Sequence, residues 1–171
     1  MSGTVVLREA TVEDAREIAE VHVAVWRRAY RDLLPAEFLD ALSVDDRARM
    51  WTEVLGSPQE GVFVTERDGR VVGFCGYGPS RDDDATASMG NVSTLYVLEE
   101  VSGIGVGSAL VAAAETRLRE LGYERAALWV LAANGRGRRF YERAGWRWDG
   151  TTGEFRIDCG NQPMVRYVRE L

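Results

Sequence analysis

The chain has 171 residues, of which 46% are hydrophobic, and 27 acidic residues against 21 basic ones give a formal net charge of −6. This acidity argues against nucleic acid and anionic membranes as main partners. The length favours a single domain, residues 1–171, with a hydrophobic core of its own.

Few residues are available for a metal site or for covalent catalysis. Cys75 and Cys159 are the only cysteines and His22 is the only histidine. We therefore expect no metal, no disulfide framework and no histidine-based triad. The sequence has no signal peptide at its start and no apolar stretch long enough to span a bilayer, so a cytoplasmic location is the default expectation.

Apolar periodicity, capping residues and turn residues predict helices and strands along the whole chain. Helices are expected over residues 11–29, 35–42, 43–55, 107–121 and 136–143. Strands are expected over residues 4–7, 62–66, 71–77, 92–97, 124–131, 147–149, 154–157 and 164–169. Strand, helix and strand over residues 91–131 predict a right-handed crossover with a parallel strand pair. The predicted fold class is α/β of the α+β type: a mixed, largely antiparallel central sheet with a central β-α-β crossover and flanking helices.

Several local features have more than one interpretation. The Asp-Gly pair at 68–69 lies between two apolar runs and predicts a hairpin turn. The polar loop after it, residues 79–90, holds Asp82, Asp83 and Asp84, which we interpret as a solvated, mobile tip. The alternative is an acidic lip that attracts a cationic substrate. His22 and Trp26 lie on the apolar face of the first helix, where packing is the favoured role and pocket lining the alternative.

A glycine-rich turn joins the predicted strand at 92–97 to the helix that follows. Gly103, Gly105 and Gly107 alternate there, so the backbone can approach a ligand closely, and free amides at a helix start bind anions. A P-loop is excluded because its lysine is missing, and the spacing fits a dinucleotide fingerprint poorly. The turn therefore predicts a phosphate site of another kind.

Two motifs resemble one family, the GNAT superfamily of acyl-CoA N-acyltransferases. Leu95-Tyr96-Val97 followed by residues 102–107 is similar to its coenzyme A pyrophosphate loop, and Asn134 with residues 140–146 is similar to its second signature. The resemblance implies that the strand edge and Asn134 bind the pantetheine arm, that the loop amides bind the pyrophosphate, and that Tyr141 protonates the leaving thiolate. The residues so assigned to coenzyme A are Leu95, Tyr96, Val97, Ser102, Gly103, Ile104, Gly105, Val106, Gly107, Ser108, Asn134 and Tyr141.

The chain departs from the family pattern at two positions. Ser102 stands where the loop usually begins with Gln or Arg, and Asn91 stands where many relatives carry a Glu. The general base is therefore open: the candidates are a water wire to backbone carbonyls, a carboxylate among Asp82–Asp84 or Glu154, and His22.

The resemblance implies an acetyl-CoA-dependent N-acetyltransferase that works by direct transfer in a ternary complex. A non-catalytic acyl-CoA-binding module and an O-acyl or longer-chain acyltransferase are the alternatives. The expected acceptor is a small-molecule or peptide amine, and Trp26, Tyr30 and Tyr77 are candidates to receive it through cation–π contacts. We expect no nucleic-acid or membrane partner, and a homodimer is one possible assembly.

Overall fold

The computed structural model describes residues 3–171, which form one seven-stranded sheet in the order β1-β2-β3-β4-β5-β7-β6. The strands are β1 Val6–Glu9, β2 Gly61–Arg67, β3 Arg70–Pro79, β4 Met89–Val97, β5 Arg125–Leu131, β6 Arg147–Phe155 and β7 Gln162–Glu170. The helices are α1 Ala15–Ala29, α2 Ala36–Asp40, α3 Val44–Gly56, α4 Val106–Glu120 and α5 Gly135–Arg143. All neighbouring strands are antiparallel except β4 and β5, which α4 connects as a crossover. The predicted fold class is confirmed.

Local sequence signals explain where several elements begin and turn. The Thr11 N–H donates to Asp14 Oδ2 at 2.8 Å ahead of α1, and the Asp46 N–H donates to Ser43 Oγ at 3.2 Å at the start of α3. Both bonds satisfy amides that have no partner within their helix. Asp68 and Gly69 have φ angles of 53° and 77°, as a type I′ hairpin turn between β2 and β3 requires.

Helices cover both faces of the sheet. On one face α1 and α3 bury Ile18 and Trp51 against Phe74 of β3. On the other face the apolar stripe of α4 is fully buried, and its members at helical spacing are Leu110, Ala114 and Leu118. Alternate side chains of β4 therefore contact different layers: Leu95 packs with α4, and Tyr96 packs with the α1 layer.

The sheet splits between its two parallel strands. β4 and β5 pair only from Met89↔Arg125 to Asn91↔Ala127. Beyond Asn91, β4 stays paired with β3 while β5 stays paired with β7. The β3–β4 register skips Ser93, and such a bulge bends the strand that carries it. The facing edges of the two strands are consequently unpaired beyond the split.

Some predicted element ends were wrong. β1 is Val6–Glu9 rather than 4–7, and β4 begins at Met89, inside the predicted loop. The strands predicted at 147–149 and 154–157 are one strand, β6, because both halves pair with β7. Gly150, with a φ of 88°, lies at the register shift between the halves and does not end the strand.

The interpretation of Asp82–Asp84 as a solvated tip was wrong for Asp82, whose side chain is 20% exposed, whereas the Asp84 side chain is 63% exposed although it is paired. Arg166 of β7 is 5% exposed, and its guanidinium donates to Asp82 at 3.2 Å and to Asp84 at 2.6 Å. Asp149 of β6 accepts from the same guanidinium at 2.7 Å. The Trp129 indole donates to Asp82 at 2.9 Å. This ion-pair cluster fastens the loop to the sheet.

Between residues 3 and 171 no helix is long and apolar enough to cross a membrane. In the same range no three His, Cys, Asp or Glu side chains are grouped so that they would hold a metal ion.

Candidate active site

A cleft of about 1820 Å³ lies where β4 and β5 separate. Its walls come from β4, β5, α1, the turn that precedes α4, and the start of α5. Predicted site residues that line it are Trp26, Tyr30, Tyr77, Leu95, Tyr96, Val97, Ser102, Gly103, Gly105, Gly107, Ser108, Asn134 and Tyr141. The split in the sheet thus gathers residues that are far apart in the chain.

The glycine-rich turn presents free backbone amides to this cleft. Gly103 and Gly105 have φ angles of 79° and 88°, which side chains with a Cβ adopt at a cost. The first bond within α4 runs from the Ala109 N–H to the Gly105 carbonyl at 3.0 Å, so the amides of residues 106–108 precede the helical ladder. The helix dipole adds positive potential at the same place.

Two residues of the turn contribute only backbone. Ile104 is 66% exposed and is absent from the cleft lining, while Val106 is 5% exposed and packs in the core against α4 neighbours. Their side chains are therefore unavailable to a ligand in the cleft. The prediction for these two residues therefore concerns their amides alone.

Arginines at the start of α5 add charge to this end of the cleft. Arg136 Nη2 donates to Ser102 Oγ at 3.2 Å, and Arg139 also lines the cleft. The first turn of α5 has no acidic residue, although a helix start favours acidic side chains. Arg136 was not among the residues predicted from the sequence, and this conflict with helix electrostatics in Asn-Gly-Arg-Gly-Arg-Arg was the available signal.

Asn134 caps α5 and keeps one polar group free for a ligand. Its Oδ1 accepts from the Gly137 N–H at 3.0 Å, which leaves the Nδ2 donors for a neighbour in the cleft. A Cβ at position 137 would lie 2.6 Å from Nδ2, so a glycine is required there. Asn134 can thus cap α5 through Oδ1 and donate to a ligand through Nδ2.

Tyr141 lies on α5 with its half-buried ring against Phe140, at a centroid distance of 5.3 Å, and it lines the cleft. Burial raises the pKa of its hydroxyl above the ordinary value of 10.0. The phenol therefore stays protonated at physiological pH. It is positioned to donate a hydrogen bond or a proton into the cleft.

His22 is 4% exposed and packs among aromatic rings on the opposite face of the sheet. The Trp51 indole N–H donates to His22 Nδ1 at 3.1 Å, and the two rings of His22 and Tyr96 stack at 5.2 Å. Burial, aided by the Arg47 charge, lowers the pKa of His22 to about 4. Because Nδ1 accepts from Trp51, the neutral ring carries its proton on Nε2. That tautomer makes His22 a donor and argues against it as the base.

The three aromatic residues proposed for the acceptor are not all together. Trp26 and Tyr30 are neighbours with a centroid distance of 5.0 Å, and Phe155 packs on Trp26. Tyr77 instead packs on Phe63 in the α4 layer, and Arg117 donates to its hydroxyl at 3.4 Å. Its hydroxyl is therefore directed away from Trp26 and Tyr30.

Not all of the carboxylates considered as general base line the cleft. Asp82 lines the cleft together with Asn91, whereas Glu154 is not among the lining residues and accepts from Asn161 at 3.2 Å. Glu60, which the sequence analysis did not single out, lines the cleft and pairs with Arg81 at 2.8 Å. No local pattern marks Glu60, since only the folded β2–β3 hairpin brings it to the cleft.

Comparison with known proteins identifies the family. Residues 16–146 match the model of the Acetyltransferase (GNAT) family, so the chain belongs to that family. It is 34% identical over 131 residues to the uncharacterized N-acetyltransferase YuaI of Bacillus subtilis, covering 76% of this chain and 73% of the relative. It is 31% identical to the uncharacterized N-acetyltransferase Rv2669 of Mycobacterium tuberculosis, covering 92% and 98%. The sequence-based recognition of GNAT is confirmed.

Solved structures agree on the fold. PaiA N-acetyltransferase from Thermoplasma acidophilum, in complex with coenzyme A, superposes with a TM-score of 0.76 at 18% identity, covering 98% of this chain and 99% of that one. Ribosomal-protein-alanine N-acetyltransferase from Brucella melitensis gives 0.76 at 21% identity, covering 97% and 99%. At these identities the likeness concerns the fold.

Proposed function

We propose that this protein transfers the acetyl group of acetyl-CoA to a primary amine by direct attack, with both substrates bound at once. The observation that carries the proposal is one cleft in which an unpaired edge of β4 meets the amide-rich start of α4. An extended amide-bearing chain pairs with such an edge as an added strand would, and a pyrophosphate is suited to the amides. The coenzyme A complex of the Thermoplasma relative supports this choice.

Each residue has a separate task in this proposal. Residues 95–97 bind the pantetheine arm through their backbone, helped by Asn134 Nδ2. The amides of residues 103–108 bind the pyrophosphate, and Arg136 adds a cationic contact. Tyr141 donates a proton to the thiolate as the carbon–sulfur bond breaks. No covalent acyl-enzyme is required.

The layout of the sheet supports direct transfer. Leu95 and Tyr141 belong to the α4 layer, whereas Tyr96 and Trp26 belong to the α1 side. The split between β4 and β5 connects the two faces. A thioester held on the α4 side is therefore within reach of an amine that enters beside α1, as direct attack in a ternary complex demands.

The amine must lose its proton before it attacks, because an ammonium has no lone pair. Asp82 and Glu60 are the carboxylates of the cleft on the side of Asn91, away from the phosphate end. We assign them, acting through cleft water, as the candidates to receive this proton. If Glu60→Gln or Asp82→Asn removes the acidic limb of the plot of kcat/KM against pH, the substituted residue is the base.

Thiol release tests the proposed activity. The purified protein is incubated with acetyl-CoA and a broad panel of primary amines, and free coenzyme A is measured against amine-free controls. Amine-dependent release with N-acetylated product supports transfer. Tight coenzyme A binding without release for any amine would favour the non-catalytic acyl-CoA-binding module instead.

A further inference from the structure

One wall of the cleft carries hydrogen-bond donors that have no acceptor. His22 Nε2 and Trp26 Nε1 are buried, and among residues 3–171 neither makes a hydrogen bond of ordinary geometry, although the Tyr96 hydroxyl lies near the Trp26 indole. Both side chains line the cleft. A buried donor without a partner is unfavourable, so each is a place where a ligand oxygen would be stabilised.

The protonation state of His22 follows from its neighbour. An indole N–H can only donate, so the 3.1 Å contact from Trp51 fixes Nδ1 as the acceptor and Nε2 as the N–H. His22 is 4% exposed, and Tyr96 covers one face of its ring. Water therefore satisfies Nε2 poorly, and the free N–H needs an acceptor from the cleft.

Arg47 adds a positive charge to the same wall. It lines the cleft, and within the described residues its guanidinium lies within 4.0 Å of no carboxylate; its one side-chain bond is to the Met50 sulfur at 3.8 Å. Arg28 and Arg81 of the cleft pair with Glu99 and Glu60. In the described part of the chain, Arg31, Arg139 and Arg143 line the cleft without a carboxylate partner, as Arg47 does. Arg47 differs from these three because its charge acts on His22. Arg47 is thus a cation available to a ligand beside His22.

We infer that the acceptor is an amine that also carries an oxyanion, a carboxylate or a phosphate-type group, bound by His22, Trp26 and Arg47. This inference rests on the proposed function and names its substrate class. An amine without an oxyanion would be repelled by Arg47 and would offer no acceptor to the N–H groups of His22 and Trp26. An oxyanion accepts from all three and leaves the amine to point toward the split, where Asp82 lies.

Matched acceptor pairs test the inference. Phenylalanine with its methyl ester, tyrosine with its methyl ester, and 2-aminoethylphosphonate with its diethyl ester are pairs in which only the acid is an oxyanion. Esterification also lowers the pKa of the amine, so kcat/KM is compared per concentration of free amine. We expect kcat/KM to favour the oxyanion member by about tenfold or more, as for hydrogen bonds to a charged group. Arg47→Gln and His22→Phe should erase that preference through KM. Arg49→Gln, on the same helix and paired with Asp46, should leave it unchanged.

A binding measurement separates this inference from the activity itself. Coenzyme A-loaded protein is titrated with N-acetylphenylalanine, its methyl ester and N-acetyl-2-aminoethylphosphonate. Tighter binding of the anions that Arg47→Gln abolishes supports the inference even without turnover, in which case the proposed function fails alone. Acetyl transfer with equal use of both members of each pair overturns the inference alone. Equal affinities in titration, or no anion binding, overturn it as well. The ratio between carboxylate and phosphonate identifies the oxyanion.

Discussion

The Tyr141 hydroxyl is the group in the cleft that donates a proton in the proposed reaction. Burial raises its pKa, so the phenol holds its proton while the thioester is intact. A thiolate with an ordinary thiol pKa of about 8.5 is a weaker base than this phenolate, but burial in the same cleft raises the pKa of the thiol as well. The thiolate therefore competes for the proton only as the carbon–sulfur bond breaks. The hydroxyl is therefore needed in the transition state and contributes little to binding.

Tyr141→Phe should keep the ring and its packing on Phe140 while removing the proton. We expect kcat to fall by about 100-fold or more, the usual size of a general-acid contribution, with coenzyme A affinity nearly unchanged. The measurement is steady-state turnover beside calorimetric binding on one sample. Tyr123→Phe, near the far end of α4, is the matched control and should turn over normally. Wild-type turnover by Tyr141→Phe, with chemistry shown to limit the rate, would leave Tyr141 as a packing residue.

Ser102 and Arg136 contact each other beside the glycine-rich turn that precedes α4, here called the phosphate turn. Arg136 reaches the Ser102 hydroxyl from α5, so a cation stands near the position where relatives carry a long side chain. Ser102→Ala should change coenzyme A affinity by no more than roughly 1 kcal/mol, since one neutral group is lost. Arg136→Gln should weaken it further, and the difference should shrink at high salt because an exposed charge is screened.

The exposed Arg119, in the last turn of α4, supplies the control for Arg136. Arg119→Gln changes net charge equally but far from the turn, so calorimetry should return wild-type affinity. A Ser102→Ala loss of several kcal/mol would mean that the hydroxyl itself holds the phosphate. An Arg136→Gln affinity equal to that of the wild type at low salt would remove the guanidinium from the binding site.

At the scale of elements, α4 offers an internal comparison between its two ends. Gly105 precedes it with a φ of 88°, and Gly122 follows it with a φ of 93°; a Cβ at either would meet nothing within 4 Å. Valine at either position should cost about 1–2 kcal/mol of stability through left-handed backbone strain. Only Gly105→Val should abolish coenzyme A binding, because only that end presents amides to the cleft. A folded Gly105→Val protein with wild-type affinity would disprove the anion site.

Elements with local signals were predictable from the sequence. The capping residues ahead of α1 and α3 and the Asp68-Gly69 turn act over a few residues, and all three features form, although at α3 only the Ser43 half of the predicted capping box does. Pairing between distant segments was not predictable. Arg166 lies 82 positions from Asp84 in the chain, so the sequence offered no reason to pair the two side chains. The unbroken β6 likewise depends on β7.

The candidate site likewise combines residues that local motifs predict with residues that only the fold brings together. The phosphate turn and Tyr141 stand in contiguous motifs, which made them visible in the sequence. Arg136 and Ser102 meet across 34 positions, and Glu60 and Arg47 reach the cleft only through the packing of whole elements. Tyr77 has a suitable side chain, but its hydroxyl faces the other layer of the sheet. Residue type predicted chemistry, whereas side-chain direction required the fold.

For the whole molecule, His22 links protonation to stability. Its pKa is about 4 in the folded protein against 6.5 for an ordinary histidine, because burial and the Arg47 charge disfavour the cation while Tyr96 and Trp51 enclose the ring. Between these values the unfolded chain binds one proton more than the folded chain. Stability therefore rises with pH through this window, and it is lost as pH falls below about 6.5.

Chemical denaturation from pH 7.5 to pH 5 should reveal this dependence. We expect the wild type to lose about 2 kcal/mol at pH 5, the value that one proton and these two pKa values give. The hydrogen bond from Arg8 lowers the folded pKa of Asp14. Burial acts to raise the folded pKa of Asp149, but the bonds to its neighbours, Arg166 first among them, outweigh burial and lower it. Both carboxylates therefore lose their contribution to stability only at lower pH. His22→Phe should be less stable at pH 7.5, since Trp51 loses its acceptor, yet should show a nearly flat profile. A wild-type slope in His22→Phe would assign the pH dependence to other groups.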